Sequence, residues 1–431
     1  MTAVAEHPPT PRGARRLACA LGLLLTPPLG AVAFAAAGLT AASVTDTPAL
    51  LIAAATLAWL AATYLGSRLS LWIGGVTRHH SWALGIGGVG TVVLLMTLRA
   101  TILTPLIPVD QQFAIHLPGD VEVWPLASGS RVAVRKVDGR GRKRAHPIVF
   151  LHGGPGGYSV SLQPTVEAIG RLSEDGYDVY FYDQVGGGLS ARLDDIHDYT
   201  LERHLTDLDG IYHRIGAEQI ILIGSSWGAS MGAGYMARHP QHVAAAVFSG
   251  AGPMYHPSWV PGGDGGLDER LTSEQAEGFA RLVETPRLMT ALLLAEINPG
   301  AAVRFASEWE LGSLFDKVAN TFYLPLAVCD PRDIDVSSAG YGFWSNRMTG
   351  RSLRAQTQDP RPSLRQNLTP VLILRGECDY KREAVALEYA NVFANAQFAR
   401  FANAGHMLYW EQPDAFLKRV RQFLTTAVSN P

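Results

Sequence analysis

Hydrophobic positions divide the chain at about residue 110. Before it, three long stretches carry no charge, 17–45, 47–67 and 81–98, each near or above the roughly 18 apolar residues that mark a membrane-spanning helix. The pattern predicts a membrane domain, residues 1–110, with three transmembrane helices. Pro27 and Pro28 fall inside the first span, where two missing amide donors predict a kink or break. Gly85, Gly87, Gly88 and Gly90 in the third leave room for another helix to approach closely.

After Val121 the pattern changes. Short apolar runs at 131–137, 147–151, 179–182, 219–223, 243–248 and 371–374, with a further strand candidate at 397–401, are mostly separated by helical patterns. Such alternation predicts an α/β domain with a mostly parallel sheet and helices on both faces, whose functional groups gather at the carboxyl ends of the strands.

Charge orients the membrane part. Arg12, Arg15 and Arg16 precede the first span, Arg68 and Arg78 lie between the second and third, and the loop between the first two has Asp46 but no Lys or Arg. The positive-inside rule then predicts a multi-pass protein of the cell membrane with everything after about Pro108 outside the cytoplasm. Arg99, near the outer end of span three, opposes this, but a long arginine snorkels to the interface. Cleavage of 12–37 as a signal peptide is an alternative, and it leaves two spans and the same external domain. No span contains an acidic residue, which favours an anchor over a transporter. A formal net charge of -2 without a long basic stripe argues against nucleic acid as a partner. The cluster Arg140 to Arg144 reads as a solvated hairpin turn, with lipid-headgroup contact as the alternative. Cys19 belongs to a span, and an oxidising compartment permits Cys329 and Cys378 to pair; the sequence leaves that pairing open.

Gly224-Ser225-Ser226-Trp227-Gly228 follows the apolar run 219–223 and leads into a helical pattern. A Gly-x-Ser-x-Gly at a strand-to-helix turn makes Ser226 the candidate nucleophile of a serine hydrolase. With 44 glycines the pattern recurs, in Gly228-Ala229-Ser230-Met231-Gly232, but Ser230 falls a full turn into the helix, where serine commonly bonds back to a carbonyl. Upstream, His152-Gly153-Gly154-Pro155-Gly156-Gly157 follows a strand, and an amide of Gly153 or Gly154 with that of Trp227 could hold a developing oxyanion. Asp379, chosen over Glu377, follows the 371–374 strand, and His406 sits in a loop after 397–401. The order Ser, Asp, His is that of an α/β-hydrolase, in which His406 takes the Ser226 proton and Asp379 orients the imidazole. No cofactor is called for, and no His and acidic residues show zinc-site spacing.

These residues resemble the proline iminopeptidase family of α/β-hydrolases. His152 to Gly156 matches its oxyanion motif, Tyr182-Asp183-Gln184 begins its Asp-Gln-Arg-Gly segment, and the Ser226 elbow resembles its Gly-Gly-Ser-Trp-Gly. Gly376 to Asp379 and Ala404-Gly405-His406 resemble its acid and histidine loops. The likeness spans about 147–424, and Val185 stands where the family usually has arginine. It implies a hydrolase core in two parts, 111–252 and 346–431, around a helical cap insert, 253–345. Trp309-Glu310 in that insert resembles a segment whose glutamate grips the substrate's free α-amine, so Glu310 is either that substrate-binding carboxylate or an exposed helix charge. The implied activity is release of N-terminal residues from short peptides or amides. If Glu310 points away from Ser226, hydrolysis of esters or lipid-like substrates entering from the bilayer becomes the better expectation. An inactive membrane-held binding protein is the reading from another class. The cap aromatics Trp309, Phe315, Phe322, Tyr323, Tyr341, Phe343 and Trp344 either line a pocket or form the cap's own core.

Overall fold

The computed structural model describes residues 12–331 and 339–428; residues 1–11 of the predicted membrane domain, 332–338 of the predicted cap insert and 429–431 lie outside the described residues. The chain forms two compact units, one made of 12–105 with Glu284–Ser307 and the other of Leu106–Val283 with the described residues from Glu308 onward.

In the first unit the uncharged stretches are helices α1 (Arg12–Ala42), α2 (Pro48–Ile73) and α3 (His79–Leu98). Three helical stretches here are long and apolar enough to cross a membrane. Leu24, Val32 and Leu57 are among many large apolar side chains left exposed on them, as lipid-facing positions would be. The break expected at Pro27-Pro28 does not occur, since α1 runs through both. The Thr26 hydroxyl donates to the Gly22 carbonyl at 3.0 Å, a threonine back-bond one turn before the prolines. Small residues let α1 and α2 approach: a Cβ on Gly30 would lie 2.7 Å from Thr63 Cγ2.

Glu284–Ser307 falls within the predicted cap insert but groups with this first unit. It contains two short helices, Pro286–Ile297 and Pro299–Phe305, capped by the side chains of Thr285 and Asn298. Asn298 Nδ2 donates to the Ala42 carbonyl (2.9 Å), the Arg287 guanidinium donates to the Ile102 and Phe305 carbonyls (2.8 and 2.7 Å), and Arg304 pairs with Asp46 (2.9 Å). Met289, Leu293 and Ile297 recur every four residues and stay exposed, an apolar stripe on one helix face.

The second unit is built on one sheet of β1 (Val121–Pro125), β2 (Arg131–Val137), β3 (Ile148–Leu151), β4 (Val179–Tyr182), β5 (Ile220–Ser225), β6 (Val243–Ser249), β7 (Val371–Gly376) and β8 (Ala396–Phe401). The spatial order is β1-β2-β4-β3-β5-β6-β7-β8, with the β1–β2 and β2–β4 pairs antiparallel and the other pairs parallel. Arg140 to Arg144 is therefore not a hairpin turn: β2 pairs with β1 and β4 rather than β3. The cluster is a crossing connection whose Arg140 and Arg144 amides donate to Ser173 and Gly176 carbonyls.

Strand residues alternate between two cores. Val149, Leu151, Leu222 and Ile373 enter one; Ile148, Phe150, Ile221 and Leu372 enter the other. Both faces are covered, which is why these strands read as continuous apolar runs. Helices α5 (Leu201–Ile215) and α6 (Trp227–Arg238) pack on the first face, while α4 (Gln163–Gly170) and the C-terminal helix Pro413–Ala427 pack on the second.

Candidate active site

Strand β5 ends at Ser225 and α6 begins at Trp227, with Ser226 between them at φ 55 and ψ -120. A non-glycine residue held in that region stores local strain, which a functional turn tolerates. The glycines of the motif have a steric reason: a Cβ at Gly224 would lie 2.7 Å from the Gly228 carbonyl oxygen, and one at Gly228 would lie 2.0 Å from that of Leu151. The Ser226 amide donates to the Ser249 carbonyl at 3.0 Å, tying the turn to β6. Ser230 is buried inside α6.

Asp379 and His406, on loops after β7 and β8, come together. The His406 Nδ1–H donates to Asp379 Oδ1 at 2.8 Å, with both side chains buried. That bond leaves Nε2 as the lone-pair nitrogen. Burial alone would raise the Asp379 carboxyl, but the charge and hydrogen bond of His406 and the Lys381 amide outweigh it and hold the group below the usual carboxylate range. Glu377 is exposed. Gly250, at φ 54, lets the imidazole in: a Cβ there would lie 2.9 Å from His406 Nδ1. Cys329 and Cys378 form a disulfide with Cα atoms 5.4 Å apart, which fixes the residue preceding Asp379.

The loop after β3 is locked to the elbow through Gln184. The Gln184 amide donates to His152 Nε2 (2.9 Å), its side-chain Nε2 donates to the His152 carbonyl (3.2 Å), and its Oε1 accepts from Trp227 Nε1 (2.7 Å). Because His152 Nε2 accepts, Nδ1 carries the proton and donates to the Gly153 carbonyl at 2.8 Å. Desolvation pushes the His152 pKa down to about 4, which keeps this acceptor neutral. The trans peptide then turns the Gly154 N–H to the side opposite the Gly153 carbonyl. Gly153 faces the serine, since a Cβ on it would lie 3.1 Å from Ser226 Cβ. The Trp227 amide, at the first position of α6, has no intrahelical acceptor. Asp183 acts below this layer: buried, with its pKa raised to about 6 by desolvation, it accepts the Ser159, Val160 and Leu189 amides. Val185 is fully buried beside it.

Ser226, His406, Gly153 and Gly154 line a cavity of about 240 Å³. The cap aromatics divide. Phe315, Tyr323 and Tyr341 line the cavity, whereas Phe322 and Trp344 are buried and Trp309 lies under the Arg192 guanidinium at 4.7 Å. Glu310, one of whose two expected roles is to grip substrate, is not among the described residues that line the cavity. It is buried in the first turn of the helix Glu308–Val318, and its Oε1 accepts the Leu106 amide at 2.8 Å. Nor is it an exposed helix charge. Glu308 is buried as well, with burial lifting its pKa to about 7.

Tyr380 was not singled out from the sequence, although it follows Asp379 directly. Its hydroxyl lies 3.4 Å from His406 Nε2 and has Ser226 as a further polar neighbour, and its ring centroid is 4.4 Å from that of His406. Gln184 was legible only as part of a motif, because its role depends on side-chain contacts with residues far away in the chain.

The alpha/beta hydrolase fold family matches residues 146–413. The proline iminopeptidase of Heyndrickxia coagulans is 24% identical over 299 residues, covering 69% of this chain and 96% of that protein. That of Saccharolobus solfataricus is 24% identical over 284 residues, covering 65% of this chain and 86% of the relative. Among solved structures, the proline iminopeptidase of Mycobacterium smegmatis superposes with a TM-score of 0.47 at 20% identity, covering 71% of this chain and 98% of that one. The esterase EaEST of Exiguobacterium antarcticum gives 0.49 at 16% identity, covering 70% and 98%.

Proposed function

Since the chain belongs to the α/β-hydrolase fold family, we propose that it is a serine hydrolase that works through an acyl-enzyme on Ser226. The observation that carries this reading is the 2.8 Å contact between His406 Nδ1 and Asp379 beside a serine held at positive φ. His406 Nε2 takes the Ser226 proton as the hydroxyl oxygen attacks a substrate carbonyl, and the amide of Trp227 with that of Gly153 or Gly154 binds the oxyanion. The imidazolium, stabilised by Asp379, returns the proton to the leaving group. Water then attacks the acyl-enzyme by the same route and regenerates Ser226.

For the substrate, a neutral ester with an apolar acyl group fits best. Leu162, Leu267, Phe315 and Leu324 give the cavity wall apolar surface for an acyl chain, no carboxylate, Lys or Arg is among the described residues that line it, and Glu310 Oε1 accepts the Leu106 amide. A second reading, removal of N-terminal residues from peptides, is favoured by the likeness to two proline iminopeptidases over most of their length. The Lys and Arg distribution around the apolar helices supports a cell-membrane protein with its hydrolase unit outside the cytoplasm. The disulfide agrees with that oxidising side.

Turnover of acyl nitrophenyl esters and of amino-acyl naphthylamides by the detergent-extracted chain tests the choice. Esters are expected to be the better substrates, both activities are expected to vanish in Ser226→Ala, and Glu310→Gln is expected to leave the ester KM unchanged. Preference for a prolyl naphthylamide, with a KM raised selectively by Glu310→Gln, would establish the peptidase reading instead.

A further inference from the structure

A second cluster of chemistry-bearing side chains lies at the other end of the sheet. Asp209 and His213 are one turn apart near the end of α5, His239 closes α6, and His242 sits in the turn that leads into β6. Ser226 stands at the carboxyl end of β5 and this cluster at the amino end of β6, with the 12 residues of α6 between them, roughly 18 Å of helix.

One carboxylate oxygen of Asp209 and one ring nitrogen each of His239 and His242 lie within 4.8 Å of one another. His213 Nε2 lies 3.3 Å from Asp209 Oδ2. Two imidazoles and the carboxylate thus converge from α5, the end of α6 and the turn before β6, and His213 flanks the carboxylate. The rings are positioned rather than loose: His242 stacks on Tyr212 at 4.0 Å and on His239 at 5.0 Å. Behind them the Tyr235 hydroxyl, whose side chain is buried, donates to Asp209 Oδ1 at 3.0 Å and contacts His242 Nδ1 at 2.9 Å. A buried partner that orients both a carboxylate and an imidazole is the outer-shell arrangement that supports metal ligands.

We propose that Asp209, His239 and His242 bind one divalent transition-metal ion, with Zn²⁺ as the ion of choice. Nitrogen-rich donor sets with one carboxylate suit zinc and its borderline neighbours and are a poor match for Mg²⁺ or Ca²⁺, which prefer all-oxygen shells. Binding needs neutral imidazoles. The site clamps α5, α6 and the start of β6 together and stands independently of the hydrolase reading. Sequence spacing did not reveal it because its ligands come from helices brought side by side only by the fold.

The test is calorimetric titration of the full-length chain, purified in detergent without a polyhistidine tag and stripped by chelator, with Zn²⁺ and separately with Mg²⁺. One zinc per chain and no Mg²⁺ binding are expected. Zinc affinity should fall at least about tenfold in Tyr235→Phe, the loss typical of an outer-shell partner, and binding should be lost in the double variant His239→Ala, His242→Ala. His406→Ala is expected to keep the zinc, which separates this cluster from the hydrolase site. Asp209→Asn gives the same reading if the double variant fails to fold, and the metal-free thermal melt of each variant establishes folding. Absence of saturable zinc binding in the folded wild type, or binding unchanged in both the double variant and Asp209→Asn, would overturn the proposal.

Discussion

At the residue scale, the proposed chemistry rests on groups whose partners fix their protonation. His406 offers Nε2 because Nδ1 is engaged by Asp379, and the Tyr380 hydroxyl sits 3.4 Å from that nitrogen. Tyr380→Phe keeps the ring against His406 and removes only a hydroxyl interaction of roughly 0.5–1.5 kcal/mol. The expected result is a kcat lowered about 3- to 10-fold with little change in KM, measured with nitrophenyl esters. Glu308 gives a prediction of another kind. Burial raises its pKa in the folded chain from 4.5 to about 7, so between those values the folded state binds the proton more tightly than the unfolded state. Stability therefore falls as pH rises through that window, by at most about 3 kcal/mol. Glu308→Gln removes this titration, and its melting temperature should drop less between pH 4.5 and 8 than that of the wild type. Ser226, Asp379 and His406 were legible from the sequence because each follows a strand-like run in an order that constrains its place. The direction of Glu310 was not, since whether a helix residue faces a cavity or the Leu106 amide depends on packing across some two hundred residues.

At the scale of elements, the parallel strands were legible because burial on both faces demands continuous apolar runs. Strand β1, at the sheet's edge, has only Trp124 buried and lacks that signal. The connection after β2 looked like a hairpin because two strands flank a polar cluster, yet pairing partners are set by the whole sheet. Segment Glu284–Ser307 was assigned by chain position to the cap, whereas its hydrogen bonds to Ala42 and Ile102 tie it to the apolar helices. The disulfide is the element-level contact with the clearest consequence. It closes a sequence separation of 49 residues and anchors the loop that carries Asp379. Replacing both cysteines by serine is expected to cost roughly 2–4 kcal/mol of stability and to lower kcat more than it raises KM, as read by thermal melts and ester kinetics. Unchanged melting and turnover would show that the Asp379 loop holds its shape without the bridge.

At the scale of the whole molecule, an α/β-hydrolase unit is joined to three helices apolar enough to span a membrane. Composition alone separated the two parts, because the apolar stretches lack the charges that a water-facing helix carries. What composition could not supply was the shared membership of residues far apart in the chain. An inactive binding protein with this architecture would keep the fold and the cavity, so the account depends on the reactivity of one serine. The most direct measurement is peptide mapping by mass spectrometry after the full-length chain, extracted in detergent, is treated with a fluorophosphonate. A covalent adduct on Ser226 that disappears in Ser226→Ala is the predicted result. No adduct on Ser226 in the folded wild-type chain, or labelling that persists at another residue in Ser226→Ala, would contradict the account.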